Sequence, residues 1–270
     1  MTLKDIFVHL DGSDRARVRL DIAVALAQHH HARLTGHFAQ LSPQTVGVLG
    51  PRRSDIDQQA AAEAEALFAE CTQAAGVTAA WHVTNSGEFN AVIFSIVGSA
   101  RHHDLIVLGQ HDYSHNGDLT PPELAEQVLL ESGRPALVVP FAGHFKTVGE
   151  RVMIAWNAGR EAARAVNDAV PLMTAAKEVR VIVINPQDTR SPAGEAVVEH
   201  LACHGINAAS DVLVVEGIGV MDMLLSRAAD LGSDLLVMGA HGQYGFPWLN
   251  RGGGTRHILR HMTLPVLMSH

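Results

Sequence analysis

Val152-Met153-Ile154-Ala155-Trp156-Asn157 and, 146 positions earlier, Ile6-Phe7-Val8-His9-Leu10-Asp11 are one pattern written twice. Each is an apolar run that ends in a polar residue, followed by a small-residue turn and an Ala/Arg-rich segment. Later landmarks recur at an offset of 130: Gly87 with Gly217, Gly109 with Gly239, Pro135 with Pro265. The offset falls by 16 because the first half holds a longer loop around Leu41–Arg53. Three landmarks in one register identify an internal duplication. The join lies near Phe141–Glu150, and the expected domains are residues 1–143 and 148–270.

Within each copy, strands and helices alternate. In the second half, strands are expected at Arg151–Trp156, Val179–Ile184, Ala208–Val214, Asp234–Met238 and Pro265–Met268. Helices are expected at Glu161–Ala175, near Gly194–His204, at Val220–Leu231 and near Thr255–Met262. The strands are near-continuous Val/Ile/Leu runs, as in a parallel sheet covered on both faces. Five strands and four helices per half make an α/β fold of two tandem doubly wound sheets. Ligands of such sheets bind beyond the carboxyl ends of the strands, where the strand order reverses.

Composition bounds the function. With 47% hydrophobic and 18% charged residues, the chain can bury a core without disulfides or metals. A net charge of −8 argues against a general nucleic-acid binder. The opening MTLKDIFVHLDGSD has a short apolar run followed by Asp11 and Asp14, unlike a signal peptide. No apolar stretch approaches the roughly 20 residues that span a bilayer. A cytoplasmic protein without nucleic-acid or membrane partners is expected. Cys71 and Cys203 share no metal-type spacing and read as buried reduced thiols in helices.

The chemistry concentrates after Asp234–Met238. Gly239-Ala240-His241-Gly242 is followed by nine residues, then by Gly252-Gly253-Gly254-Thr255 and a helix. Glycines permit positive φ and close backbone approach to a ligand. Successive free N–H groups form an anion-binding nest, and a helix N-terminus adds donors and partial positive charge. Thr255 adds a hydroxyl donor, and Arg251, Arg256 and Arg260 add charge. The alternative is a loop with turn glycines. It is not a Walker A loop, because GxxxxGK[ST] is absent. Glu216-Gly217-Ile218-Gly219 contains GxG but lacks a third glycine and reads as a turn into a helix.

GxxG, nine residues, then glycine and a hydroxyl residue after the fourth strand resembles the ATP-binding signature of the universal stress protein family. The resemblance covers both halves, and Pro135 and Pro265 fit the family's final strand. It implies a Rossmann-like strand order of 3-2-1-4-5 in each half and an adenine nucleotide in the second half, as ATP alone or with Mg²⁺. The site it implies comprises Ala155, Trp156 and Asn157 at the end of the first strand, Ile184 at the end of the second, and Gly239, Gly242, Gly252, Gly253 and Thr255 around the loop; the reading of the loop itself adds Met238, His241, Arg251 and Gly254. Gly253 stands where the family carries a phosphate-binding hydroxyl, and Asn157 replaces an aspartate. The loss of one neutral hydrogen bond costs on the order of 0.5–1.5 kcal/mol. Trp156 beside a base site can stack or obstruct.

The first half departs further. Asp11 is kept, but Gln110-His111-Asp112 follows Gly109 and no glycine cluster precedes the helix near Pro122–Leu130. A carboxylate there repels phosphate, so this half reads as degenerate. His29-His30-His31 stand near a helix end and face different ways, and His257 and His261, four apart on the last helix, lack an obvious third ligand, so no metal site is expected; His102, His103 and His111 read as surface or loop residues. Tyr244, Phe246 and Trp248 read as a lid or a packing contact. With no catalytic residue identified, the reading is a regulatory nucleotide binder with a stress role implied by the resemblance. The resemblance also implies a homodimer in which the two halves of each chain form a pseudo-dimer. The alternatives are a slow ATPase or phosphotransferase using His241, and an interaction protein without nucleotide.

Overall fold

The apolar runs of the sequence become parallel strands in a computed structural model, which describes residues 2–42, 53–114, 118–186, 194–242 and 252–270. Contacts divide the chain into two units, Thr2–Ala142 and Gly143–His270.

The N-terminal unit runs β1 (Asp5–Leu10), α1 (Arg15–His30), β2 (Arg33–Phe38), α2 (Arg53–Ala75), β3 (Ala79–Val83), α3 (Phe89–Ala100), β4 (Leu105–Gly109), α4 (Leu124–Glu131) and β5 (Ala136–Val139). Its strands lie in the order β3-β2-β1-β4-β5. The C-terminal unit runs β6 (Arg151–Ala155), α5 (Arg160–Met173), β7 (Glu178–Ile184), α6 (Glu195–Cys203), β8 (Ala208–Leu213), α7 (Val220–Asp230), β9 (Leu235–Gly239), α8 (Gly253–His261) and β10 (Val266–Ser269). Its order is β8-β7-β6-β9-β10. Both are the order 3-2-1-4-5, with parallel pairing inside each unit.

Burial explains the strand runs. Ile6, Phe7 and Val8 of β1 and Met153 and Ile154 of β6 are each 0% exposed, since helices cover both faces of a central parallel strand. The outer strands β3 and β8 are half-exposed and carry more polar residues.

The duplication extends to individual hydrogen bonds. Phe7 pairs with Ile106, and the corresponding Met153 pairs with Leu236. The amide of Ile106 donates to Pro135 O and that of Leu236 to Pro265 O. Asp104 accepts from the amides of Lys4 and Asp5, and Asp234 from those of Gly149, Glu150 and Arg151. Asp234, expected inside a strand, instead caps the start of β6, because a carboxylate there meets three otherwise free amides. The longer loop of the first half lies largely outside the described residues.

Candidate functional site

In the C-terminal unit the strand order reverses between β6 and β9, where Ala155 lies opposite Met238. Beyond Ala155 the Trp156 amide still donates to Ile182 O at 2.9 Å, which extends β6 by a residue. Asn157 then turns the chain: its Oδ1 accepts the Gly159 amide at 2.9 Å. That asparagine turn, with Ala158 at φ +58°, delivers the chain into α5. Ile184 ends β7 on the far side of β6, and Asn185 locks the following turn through a two-way bond with the Val215 backbone at 3.0 and 2.8 Å.

The glycine loop leaves β9 through Ala240, whose amide donates to Ser269 O at 2.8 Å. His241 sits at φ +53° and Gly252, at the start of α8, at φ +82°. The His241 amide donates to Thr255 Oγ1 at 2.8 Å, and Thr255 is 3% exposed. Its hydroxyl oxygen first serves as an acceptor that staples the two glycine clusters together, and the His241 amide is engaged rather than open.

Gly239 also has a structural reason. A Cβ there would stand 2.6 Å from Ala162 N and Glu161 C, so the missing side chain is what lets β9 press on the first turn of α5. On Gly242 a Cβ would stand 3.4 Å from Glu161 Oε2 and 3.8 Å from Asn157 Nδ2. On Gly254 it would meet the Met221 methyl at 3.0 Å. Gly253 is the first residue of α8. Arg251, Tyr244, Phe246 and Trp248 lie outside the described residues.

Glu161, which the sequence reading did not place at the site, faces the loop. It is 6% exposed and pairs through Oε1 with Arg160 at 3.1 Å. The available signal was its place in the first turn of the helix after β6, where an acid suits the helix dipole.

The N-terminal counterpart is closed by its own side chains. Asp11 accepts from the Ser13 amide at 2.9 Å, from Arg19 at 2.5 Å and from Thr120 Oγ1 at 3.0 Å. Asp11 and Arg19 are each 4% exposed. Burial works to raise the Asp11 pKa, but the Arg19 guanidinium and the Ser13 donors outweigh it and hold the carboxyl below its usual range. A Cβ on Gly109 would stand 2.2 Å from Arg19 Nη1, so this glycine makes room for the guanidinium. Along the loop, Asp112 accepts the Ser114 amide at 2.8 Å, and Asp118 accepts the amides of Asp112 and Thr120 at 2.7 Å.

The histidines and cysteines bring further corrections. His9, His37 and His82 stand in one row across β1, β2 and β3. His103 is 7% exposed and stacks edge-on against Phe7 rather than lying at the surface. His37 bonds Thr84 Oγ1 at 2.8 Å and Ser99 Oγ at 3.1 Å. Burial, aided by His9, His82 and His103, lowers the His37 pKa to about 4. Cys203 is exposed and Cys71 partly so, because their helix faces are outward. His257 meets Asp222 at 2.7 Å. Among the described residues, no group of three or more His, Cys, Asp or Glu could hold a metal ion, and no helix is long and apolar enough to cross a membrane.

The model of the universal stress protein family matches residues 2–140. A universal stress protein from Archaeoglobus fulgidus DSM 4304 superposes with a TM-score of 0.70 at 16% identity, over 97% of each chain. A candidate universal stress protein from Pseudomonas aeruginosa UCBPP-PA14 superposes with a TM-score of 0.61 at 16% identity, over 99% of this chain and 93% of that one. At these identities the likeness concerns the fold. A search of the curated proteins finds no match.

Proposed function

The chain belongs to the universal stress protein family, and from that premise we propose that its C-terminal unit binds an adenine nucleotide, ATP or a close relative, as a regulatory signal in a stress response. The observation that carries the reading is the junction of Gly252 with α8. A glycine at φ +82° opens a helix of nine residues, tied to the chain just beyond β9 by the His241–Thr255 hydrogen bond. Free amides at such a junction stabilise phosphate, and the helix dipole adds to them. The adenosine would lie over Ala155, Trp156 and Asn157 and meet the backbone near Ile184. The phosphates would lie at Gly242, Gly252, Gly253 and Gly254. With the His241 amide engaged by Thr255, the α8 amides carry most of the phosphate contact.

The test is calorimetric titration of ATP and adenosine, with chromatography of any nucleotide released when the purified protein is denatured. Gly253→Asp puts a carboxylate among the donors and should weaken ATP at least tenfold while leaving adenosine within a factor of two. Saturating ATP without any heat of binding, together with nucleotide-free purified protein, would sink the reading. The protein is taken as a binder rather than an enzyme. Single-turnover hydrolysis of labelled ATP, abolished in His241→Ala, would overturn that choice. A cytoplasmic homodimer of the tandem chain is the accompanying expectation from the family, and sedimentation equilibrium checks its assembly.

A further inference from the structure

Resting on the nucleotide reading, we infer that Glu161 sets the ligand class of the C-terminal site, favouring a nucleotide that arrives with a divalent cation over the bare polyphosphate anion. The side chain is nearly buried at 7% exposure. Its Oε2 points at the glycine loop, 3.4 Å from where a Cβ on Gly242 would be. The backbone that carries it lies close against β9. A Cβ on Gly239 would stand 2.6 Å from the peptide between Glu161 and Ala162, so only a glycine there admits the first turn of α5.

Among the described residues Arg160 offsets the charge, through Oε1, and its own side chain is 79% exposed. An ion pair with one partner in water is strongly screened, so the carboxylate keeps much of its field toward the loop. Like charges a few ångströms apart in a half-buried cleft repel strongly. A bare triphosphate beside Glu161 therefore meets both attraction from the α8 amides and repulsion from α5. A divalent cation carried on the phosphates reverses the second effect, because the carboxylate then faces a positive centre. The other reading of Glu161, a first-turn acid that merely suits the dipole of α5, gives no dependence on the cation.

The experiment compares ATP binding by calorimetry in excess Mg²⁺ and in EDTA, with adenosine as the uncharged control. In the unmodified protein, Mg²⁺ should strengthen ATP binding at least tenfold and leave adenosine unchanged. Glu161→Gln keeps the shape and removes the charge. It should bring the ratio near one by improving binding in EDTA. Arg160→Ala, which removes the exposed counter-charge, should widen the ratio. The inference is overturned if Glu161→Gln keeps the ratio of the unmodified protein, or if Arg160→Ala narrows it. Adenosine binding with an unchanged ATP ratio would defeat the role of Glu161 alone, whereas failure of both ligands in every variant would defeat the nucleotide reading with it.

Discussion

At the tips of β1 and β4, backbone amides meet acids that the protein supplies itself; at the tips of β6 and β9 those acids are gone. Asp11 corresponds to Asn157, Asp112 to Gly242, and Arg19 to Ala165. In the first unit, the amides of Ser13, Ser114 and Thr120 end on the carboxylates of Asp11, Asp112 and Asp118. Arg19 then lies over Gly109 and neutralises Asp11. In the second unit, the corresponding glycine is covered by backbone of α5, and one acid, Glu161, faces the loop. The same scaffold thus carries paired acids at the switch point of one unit and, at the matching positions among the described residues of the other, asparagine and glycine. A donor already paired with a buried carboxylate has little to offer a phosphate.

The largest effect that sharpens this contrast comes from Arg19. Arg19→Met leaves Asp11 buried without its counter-charge and should destabilise the N-terminal unit by about 3–5 kcal/mol in urea unfolding. Asn157→Ala, at the exposed position that corresponds to Asp11, should cost under about 1 kcal/mol. Equal costs at the two positions would break the comparison.

Acid gives the next largest effect. The folded His37 pKa, about 4 against 6.5 for the free side chain, means that the unfolded chain binds the proton first. The stability from its neutral form is present above the unfolded value and is lost as pH falls toward about 4. This should remove about 3 kcal/mol from the N-terminal unit, since each tenfold difference in proton affinity corresponds to roughly 1.4 kcal/mol. Urea titrations at several pH values between these limits should slope downward with acid, and the slope should flatten in His37→Gln. A flat profile in the unmodified protein would contradict the assignment.

The smallest effect concerns the staple of the glycine loop. Thr255→Val removes the acceptor of the His241 amide and should cost about 1–2 kcal/mol. It should also speed hydrogen exchange at His241, read by NMR. Unchanged exchange there would show that the two glycine clusters are held by something other than Thr255.

Much of the fold was legible in the chain. The apolar runs of Ile6–Leu10 and Val152–Ala155 could only be central strands, since so many branched aliphatic residues need cover on both faces. The repeated glycines and prolines gave the register of the duplication, and the family resemblance supplied the strand order. Less of the site was legible. Thr255 also staples the loop and Gly239 also admits a helix, roles that the motif did not announce. His103 and Cys203 were assigned to the wrong side of the surface, because isolated polar residues carry no periodicity to orient them. Glu161 looked like an ordinary first-turn acid until the fold carried it to Gly242.

Local composition by itself determined the alternation of strand and helix and the two-copy architecture, because hydrophobic periodicity acts between residues a few positions apart. Only the tertiary structure decided which groups pair at each junction. The partners come from far along the chain, as when Thr120 reaches Asp11 across 109 positions. A hydrogen bond depends on where the two groups finally stand, and a motif fixes only one of them.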